Sequence, residues 1–245
     1  MPGWPSRPVR LPSSGSSDAP DLAPRGGPGS AGYTRGSVTV LPLVLPGTLG
    51  EQLARIVDVE EKIPRAIDAL APVGGRDVIL LASDGGRCAA QLTALGARVV
   101  PLEALDDAAA VAAPADVVVS LGAAFRGPDT ANLVADTAAA DRLLRPGGRL
   151  IVMHDYGRDD VSRLRGDLPE YGLWTRRDGP FLRGGFRIRV LHCWWTFASL
   201  DEAREFLVGA FGAVGEAVAA ELRRPRLSYN VALYHRDRPG TLGGA

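Results

Sequence analysis

The sequence predicts an α/β fold built on a mostly parallel sheet, and three observations predict it. Asp77 to Glu103 reads as strand, glycine turn, helix, strand and acid. Asp116 to Leu121 is a second continuous apolar run, followed by a helical stretch and a Pro-Gly-Gly turn into a further strand. The last third holds a long alternating strand, a helix and a closing strand. Apolar runs of four to seven residues suit strands covered on both faces, as parallel strands are.

The elements follow in order. Residues 1 to 36 contain 7 Pro, 7 Gly and 6 Ser with almost no large aliphatic side chains, so they bury too little to offset ordering entropy and read as a disordered tail. Residues 37–237 are then the folded domain and 238–245 a second short tail. Thr48 and Glu51 have capping-box spacing, and Leu53, Ile56, Val57, Ile63, Ile67 and Leu70 mark a helical face that Pro64 interrupts. The expectation is a kinked helix or two short ones.

Val78 to Leu81 forms the first strand of the central unit; Gly85 and Gly86 turn the chain; Cys88, Leu92 and Leu95 recur at helical spacing toward Gly96; and Arg98 to Leu102 is the next strand. In such a unit the helix N-terminus offers N–H groups to an anion, and an acid about 20 residues on accepts from ribose hydroxyls, here Glu103. Only 12 residues separate Glu103 from Asp116, too few for a helix and another strand, so the third, edge strand is expected to be missing and Asp106 to Pro114 to form one short helix. A helix from about Asp129 to Leu144 must stop at Arg145, because Pro146 disfavours helical geometry before it, and Arg149 to Met153 is the next strand.

Phe186 to Trp195 alternates with period two, which places Trp194 and Trp195 on opposite faces and His192 with Ile188 and Val190, as a core histidine. Ser199 and Glu202 form a capping box for a helix ending near Arg224, and Leu227 to His235 is the last strand. Asp155, Asp159 and Asp160 crowd a helix start, where capping and the macrodipole explain them better than a metal. No metal site is expected.

The 28 basic and 28 acidic residues cancel, so no global field favours nucleic acid or an anionic membrane. The densest basic region is Arg176, Arg177, Arg183, Arg187 and Arg189, read as exposed strand and loop faces with an acidic substrate or RNA as the alternative. Cys88 and Cys193 stand in no CxxC or metal-ligand pattern and read as buried free thiols, which suits the cytoplasm. No apolar run reaches the ~20 residues of a membrane helix.

DVVVSL, a helix, then LLRPGGRLIV resembles the class I S-adenosylmethionine-dependent methyltransferases over about residues 50 to 236. The resemblance implies a Rossmann-like methyltransferase fold whose last strand inserts antiparallel. It implies S-adenosylmethionine as cofactor, the turn Ala82, Ser83, Asp84, Gly85 and Gly86 around the methionine end, Glu103 on the ribose, and Ser120, Leu121 and Gly122 at the next strand end. His154 or Asp155 would serve as base beside a small-molecule acceptor. The family's first motif is altered: Leu80 takes the place of its acid, Ala82 and Asp84 take the places of two glycines, and Gly86 keeps the third. Two other readings stay open: a methyltransferase-fold subunit without catalysis, and an NAD(P)-dependent oxidoreductase suggested by GGRCAAQLTALGARVV.

Overall fold

Eight strands and eight helices are present in a computed structural model that describes residues 37–40, 43–81, 86–105, 111–122, 124–125, 130–166 and 169–240. The proposed tails, 1–36 and most of 238–245, lie outside them. A two-stranded antiparallel pair, β1 (Ser37–Val40) and β2 (Leu43–Pro46), precedes α1 (Gly47–Ile56) and α2 (Lys62–Leu70). The main sheet contains β3 (Asp77–Leu81), β4 (Arg98–Leu102), β5 (Ala115–Leu121), β6 (Leu144–Asp155), β7 (Arg187–Thr196) and β8 (Arg226–Asp237). Between them run α3 (Arg87–Ala94), α4 (Thr130–Leu143), α5 (Asp160–Arg165), α6 (Pro169–Thr175), α7 (Pro180–Arg183) and α8 (Leu200–Glu221).

The strand order is β4-β3-β5-β6-β8-β7. β4, β3, β5 and β6 are parallel, and β8 lies antiparallel between β6 and β7. This is the Rossmann-like methyltransferase sheet that the sequence predicts, and, as expected, no third strand lies beyond β4, its edge among the described residues.

Each strand of the centre is covered on both sides. Val78, Leu80, Val117, Val119, Ile151 and Met153 face α1, α2, α3, α5 and α8. Ile79, Leu81, Val118, Leu150 and Val152 face α4, α6 and α7 through Leu133, Trp174 and Phe181. Continuous apolar sequence is the result of burial on both faces.

Of the two expected alternatives, two short helices form, and the break falls at Val57–Glu61 instead of at Pro64. Pro64 is the third residue of α2, where the missing N–H has no intrahelical acceptor to lose. The break is held by Asp58, whose carboxylate accepts from the N–H groups of Lys62 (3.0 Å) and Ile63 (2.8 Å). Thr48 lies within α1, which begins at Gly47. The Ser199 cap forms as expected, its hydroxyl accepting from Glu202 N at 3.1 Å, while Glu202 reaches back to Ala198 N at 2.6 Å. α8 ends at Glu221, three residues short of expectation.

The Pro-Gly-Gly turn has a steric cause. A Cβ on Gly148 would stand 2.9 Å from Arg145 O and 3.0 Å from Asp116 O, so only glycine admits the chain there. Arg145 itself pairs with Asp116 (2.6 Å) and Asp77 (2.7 Å), and Arg98 with Asp77 (2.6 Å), which locks the N-terminal ends of β3, β4 and β5. Asp77 is held below the usual carboxylate range by hydrogen bonds from Arg98 and Arg145; at Asp116 burial acts upward, and the Asp77 N–H and Arg145 outweigh it.

Carboxylates lowered in the folded state add stability above their unfolded pKa and lose it as pH falls through the folded value. Arg145→Ala should therefore lower Tm at pH 7 and narrow the gap to wild type below about pH 4, the range of an ordinary Asp; a Tm difference independent of pH would refute the pairing.

Candidate functional site

Ligands of open α/β sheets bind beyond the carboxyl ends of the strands, where the order reverses. Here the chain runs from β3 outward to β4, then returns to β5 on the other side of β3. The reversal is at the β3–β5 junction, flanked by the ends of β4 and β6.

Gly86, with φ +84, opens α3, and a Cβ there would meet nothing within 4 Å. The rest of the turn, Ala82, Ser83, Asp84 and Gly85, lies outside the described residues. Glu103 follows β4, is exposed, and makes no hydrogen bond or ion pair with a described residue, so its carboxylate is available to hydroxyl donors. At the end of β5, Ser120 and Leu121 are buried, and Gly122 turns the chain at φ +70. Ser120 Oγ accepts from Ala124 N at 3.3 Å, which braces that turn. These groups lie at the ends of three adjacent strands, β4, β3 and β5.

Arg87, the first residue of α3, does not serve the helix N-terminus. Its guanidinium donates to Ala54 O (2.7 Å), Val57 O (2.5 Å) and Asp58 O (3.1 Å). It thereby satisfies carbonyls at the end of α1 and ties α1 to the mouth of the crevice. The sequence analysis missed it, and its position directly after Gly86 was the available signal. Asp58, close to Arg87 and Cys193, has its carboxyl pushed up by burial against the lowering effect of the Ile63 and Lys62 N–H groups. Burial and the Asp58 charge together push the Cys193 thiol up to about 12. Cys88 and Cys193 are both buried, and neither forms a disulfide.

β6 extends through His154 and Asp155, so both lie within a strand paired to β8. His154 is 3% exposed and packs among Trp174 (ring centroids 4.3 Å apart), Phe181 and Tyr234. Asp155, on the opposite face, accepts from Arg165 Nη1 at 2.5 Å and from the Tyr229 hydroxyl at 2.6 Å. Burial, then the Asp155 charge, raises the Tyr229 phenol well above its ordinary range.

The other two acids of the cluster also face β8. Asp159 caps α5 through Ser162 N (2.7 Å) and accepts from Asn230 N (2.8 Å), while Asp160 accepts from Ser228 N and Oγ. Burial raises the Asp159 carboxyl, the Ser162 and Asn230 N–H groups oppose this, and the Asp155 charge adds to it. The capping reading holds for Asp159, and these carboxylates bond to protein donors.

His192 is not a core residue. It is exposed on the edge strand β7, with Nδ1 2.8 Å from Asn230 Oδ1, because the face it shares with Ile188 and Val190 is only partly covered. Trp195 is buried, and Trp194 is partly exposed beneath the Arg226 guanidinium at 4.2 Å, so the two do point to opposite faces.

No family model matches the sequence, and no curated protein matches it. Among solved structures, the chain is similar to an S-adenosylmethionine-dependent methyltransferase from Geobacter sulfurreducens in complex with S-adenosyl-L-homocysteine: 17% identity, TM-score 0.42, covering 76% of this chain and 98% of that one. It is also similar to the YcgJ protein of Bacillus subtilis, at 13% identity and TM-score 0.42, over 72% and 97% of the two chains. Phosphoethanolamine N-methyltransferase 2 of Haemonchus contortus, in complex with S-adenosyl-L-methionine, gives 13% identity and TM-score 0.36 over 76% and 39%. The fold assignment rests on this chain's own strand order. Among the described residues no helix is long and apolar enough to cross a membrane.

Removing one member of a buried ion pair leaves an uncompensated charge. The Asp155 and Arg165 side chains are 1% and 10% exposed. Arg165→Met should cost about 3–5 kcal/mol in urea unfolding; adding Asp155→Asn should recover part of that loss, and additive losses would deny the coupling.

Proposed function

We propose that this chain binds S-adenosylmethionine in the crevice over the ends of β4, β3 and β5 and transfers a methyl group to a small molecule seated over β5 and β6. The observation that carries the reading is the exposed, unengaged Glu103 carboxylate at the end of β4, beside the point where the strand order reverses. S-adenosylmethionine supplies an electrophilic methyl group on a sulfonium. Glu103 would accept hydrogen bonds from the ribose hydroxyls, and Gly86 would let backbone N–H groups at the start of α3 approach the methionine end. Gly122 and Ser120 would shape the wall toward β6.

Methyl transfer needs the acceptor in line with the sulfonium, and for an oxygen or nitrogen acceptor a base within reach. Both Asp155 oxygens bond to Arg165 and Tyr229, and His154 lies among three aromatic rings. We therefore assign Asp155 a positioning role, holding the end of β6 under the acceptor. His154 and Asp155 also favour a second reading, a binding or assembly subunit of the same fold, because neither is an exposed base. The antiparallel β8 separates the sheet from the fully parallel dinucleotide-binding one and weighs against an NAD(P) enzyme. Two buried cysteines outside any disulfide fit a cytoplasmic setting.

S-adenosylhomocysteine at 100 times its Kd should stabilise the protein by ~2.7 kcal/mol. Glu103→Ala should weaken that binding at least tenfold, as loss of a charged hydrogen-bond acceptor costs about 1.5–3 kcal/mol. Glu205→Ala, exposed on α8, should leave it unchanged. Binding without methyl transfer to any small acceptor would select the subunit reading, and no calorimetric response to S-adenosylhomocysteine or S-adenosylmethionine would reject both.

A further inference from the structure

Among the described residues, the edge strand β7 is paired on its outer side along only half its length. Its upper half is paired with the chain between α1 and α2: Val57 bridges Trp195, Asp58 N donates to Trp194 O at 3.1 Å, and Lys62 Nζ donates to His192 O at 2.9 Å. These bonds fix the parity of the strand. Carbonyls of even-numbered residues point away from β8, and since main-chain polar groups alternate along a strand, Ile188 and Val190 also present their N–H and C=O outward. No described residue bonds to those groups.

The side chains around this open stretch are not neutral. Arg187 and Arg189 are exposed and form no ion pair with a described carboxylate, and they stand about 6.8 Å apart on one sheet face, two residues of rise. Arg187 is directly opposite His235 on β8, which shares its face with Arg149. Arg149 is already engaged by Asp237 (2.6 Å) and Leu70 O (2.7 Å). Burial and then the Arg149 and Arg187 charges, with Arg189 adding less, hold the His235 imidazole below its ordinary range, with Asp237 opposing. The positive field at this face is thus not cancelled locally. On the other face Ile188 and Val190 are half-buried, offering apolar contact.

We propose that the lower half of β7, Arg187–Leu191, is a docking edge for an extended partner peptide that adds as a further strand and carries acidic residues at alternate positions. Main-chain bonds to Ile188 and Val190 would supply affinity, the peptide's carboxylates would face Arg187 and Arg189, and its intervening apolar side chains would lie with Ile188 and Val190. A nucleic acid would satisfy the arginines and leave the open N–H and C=O groups unpaired, so the peptide fits more of the surface. The site lies at the opposite edge of the sheet from Glu103 and is independent of cofactor binding.

The test is fluorescence anisotropy with a labelled peptide of alternating Asp and Val, alongside labelled oligothymidylate. The peptide should bind the full chain, and Arg187→Glu/Arg189→Glu should weaken it at least tenfold. Val190→Pro, which removes an outward N–H without changing charge, should also weaken the peptide at least tenfold while leaving any oligothymidylate binding unaltered. In the unmodified protein, the peptide should slow amide exchange at Ile188 and Val190 at least tenfold, a measurement that stands even if the proline variant fails to fold. Peptide binding lost with the charge reversal but unaffected by Val190→Pro, with unchanged exchange, would make this a general polyanion surface and overturn the proposal. Absence of peptide binding would leave the arginines as guards against edge pairing and overturn it equally.

Discussion

Three consecutive residues of β8 meet three carboxylates at the end of β6: Ser228 bonds Asp160, Tyr229 bonds Asp155 and Asn230 bonds Asp159. The rest of the sheet depends on this seam. Among the described residues β8 is the one antiparallel strand inserted among the parallel strands of the main sheet, and a slip of one residue would turn its core side chains to the wrong face. Apolar packing alone tolerates approximate fits, whereas a buried carboxylate without its donor costs several kcal/mol. The polar seam therefore specifies register more sharply than the surrounding Val and Leu side chains do. It also makes α5 part of the sheet's end, since Arg165 closes the remaining side of Asp155.

That seam divides the rim into two regions of different character. Over β6 and β8 Asp155 and Asp159 are buried and Asp160 is half-buried, and all three carboxylates are bonded to donors within the protein. Over β4 and β3, Glu103 is exposed and α3 begins at a left-handed glycine. At the opposite ends of the strands, ion pairs among Asp77, Arg98, Asp116 and Arg145 fasten the sheet, where solvent weakens each pair but the four charges act together. Arg87 joins the regions by binding the end of α1, so the helices that cover the sheet are anchored where a ligand would enter.

Much of the fold was legible because the strands announce themselves. Val78 to Leu81 and Asp116 to Leu121 are apolar on both faces, and counting the 12 residues between Glu103 and Asp116 was enough to foresee a sheet without its extra edge strand. Local signals placed the Ser199 cap correctly and misplaced the break between α1 and α2, because Pro64 is harmless in a first turn and Asp58 acts through side-chain bonds that periodicity does not show. His192 followed the alternation but not the burial: whether a face of β7 is covered depends on what packs there, and little does. Asp155 could be placed at a strand end, but its partner Tyr229 lies 74 residues away, a distance over which spacing carries no information. The altered glycine motif was legible as sequence, and Asp84 in it lies outside the described residues.

The two edges of the sheet are protected by different means, and this bears on where ligands approach. β4 carries Pro101 as its fourth of five residues, a residue with no N–H to give a further strand and one confined to sheet edges. β4 is thus an edge that resists pairing, and among the described residues no further strand lies beyond it on the Glu103 side. β7 contains no proline; its upper half is sealed by Val57, Asp58 and Lys62 and its lower half is flanked by arginines. Among the described residues, a proline guards one edge and partial cover with arginines the other, with the seam of β6 and β8 as the fixed element between them.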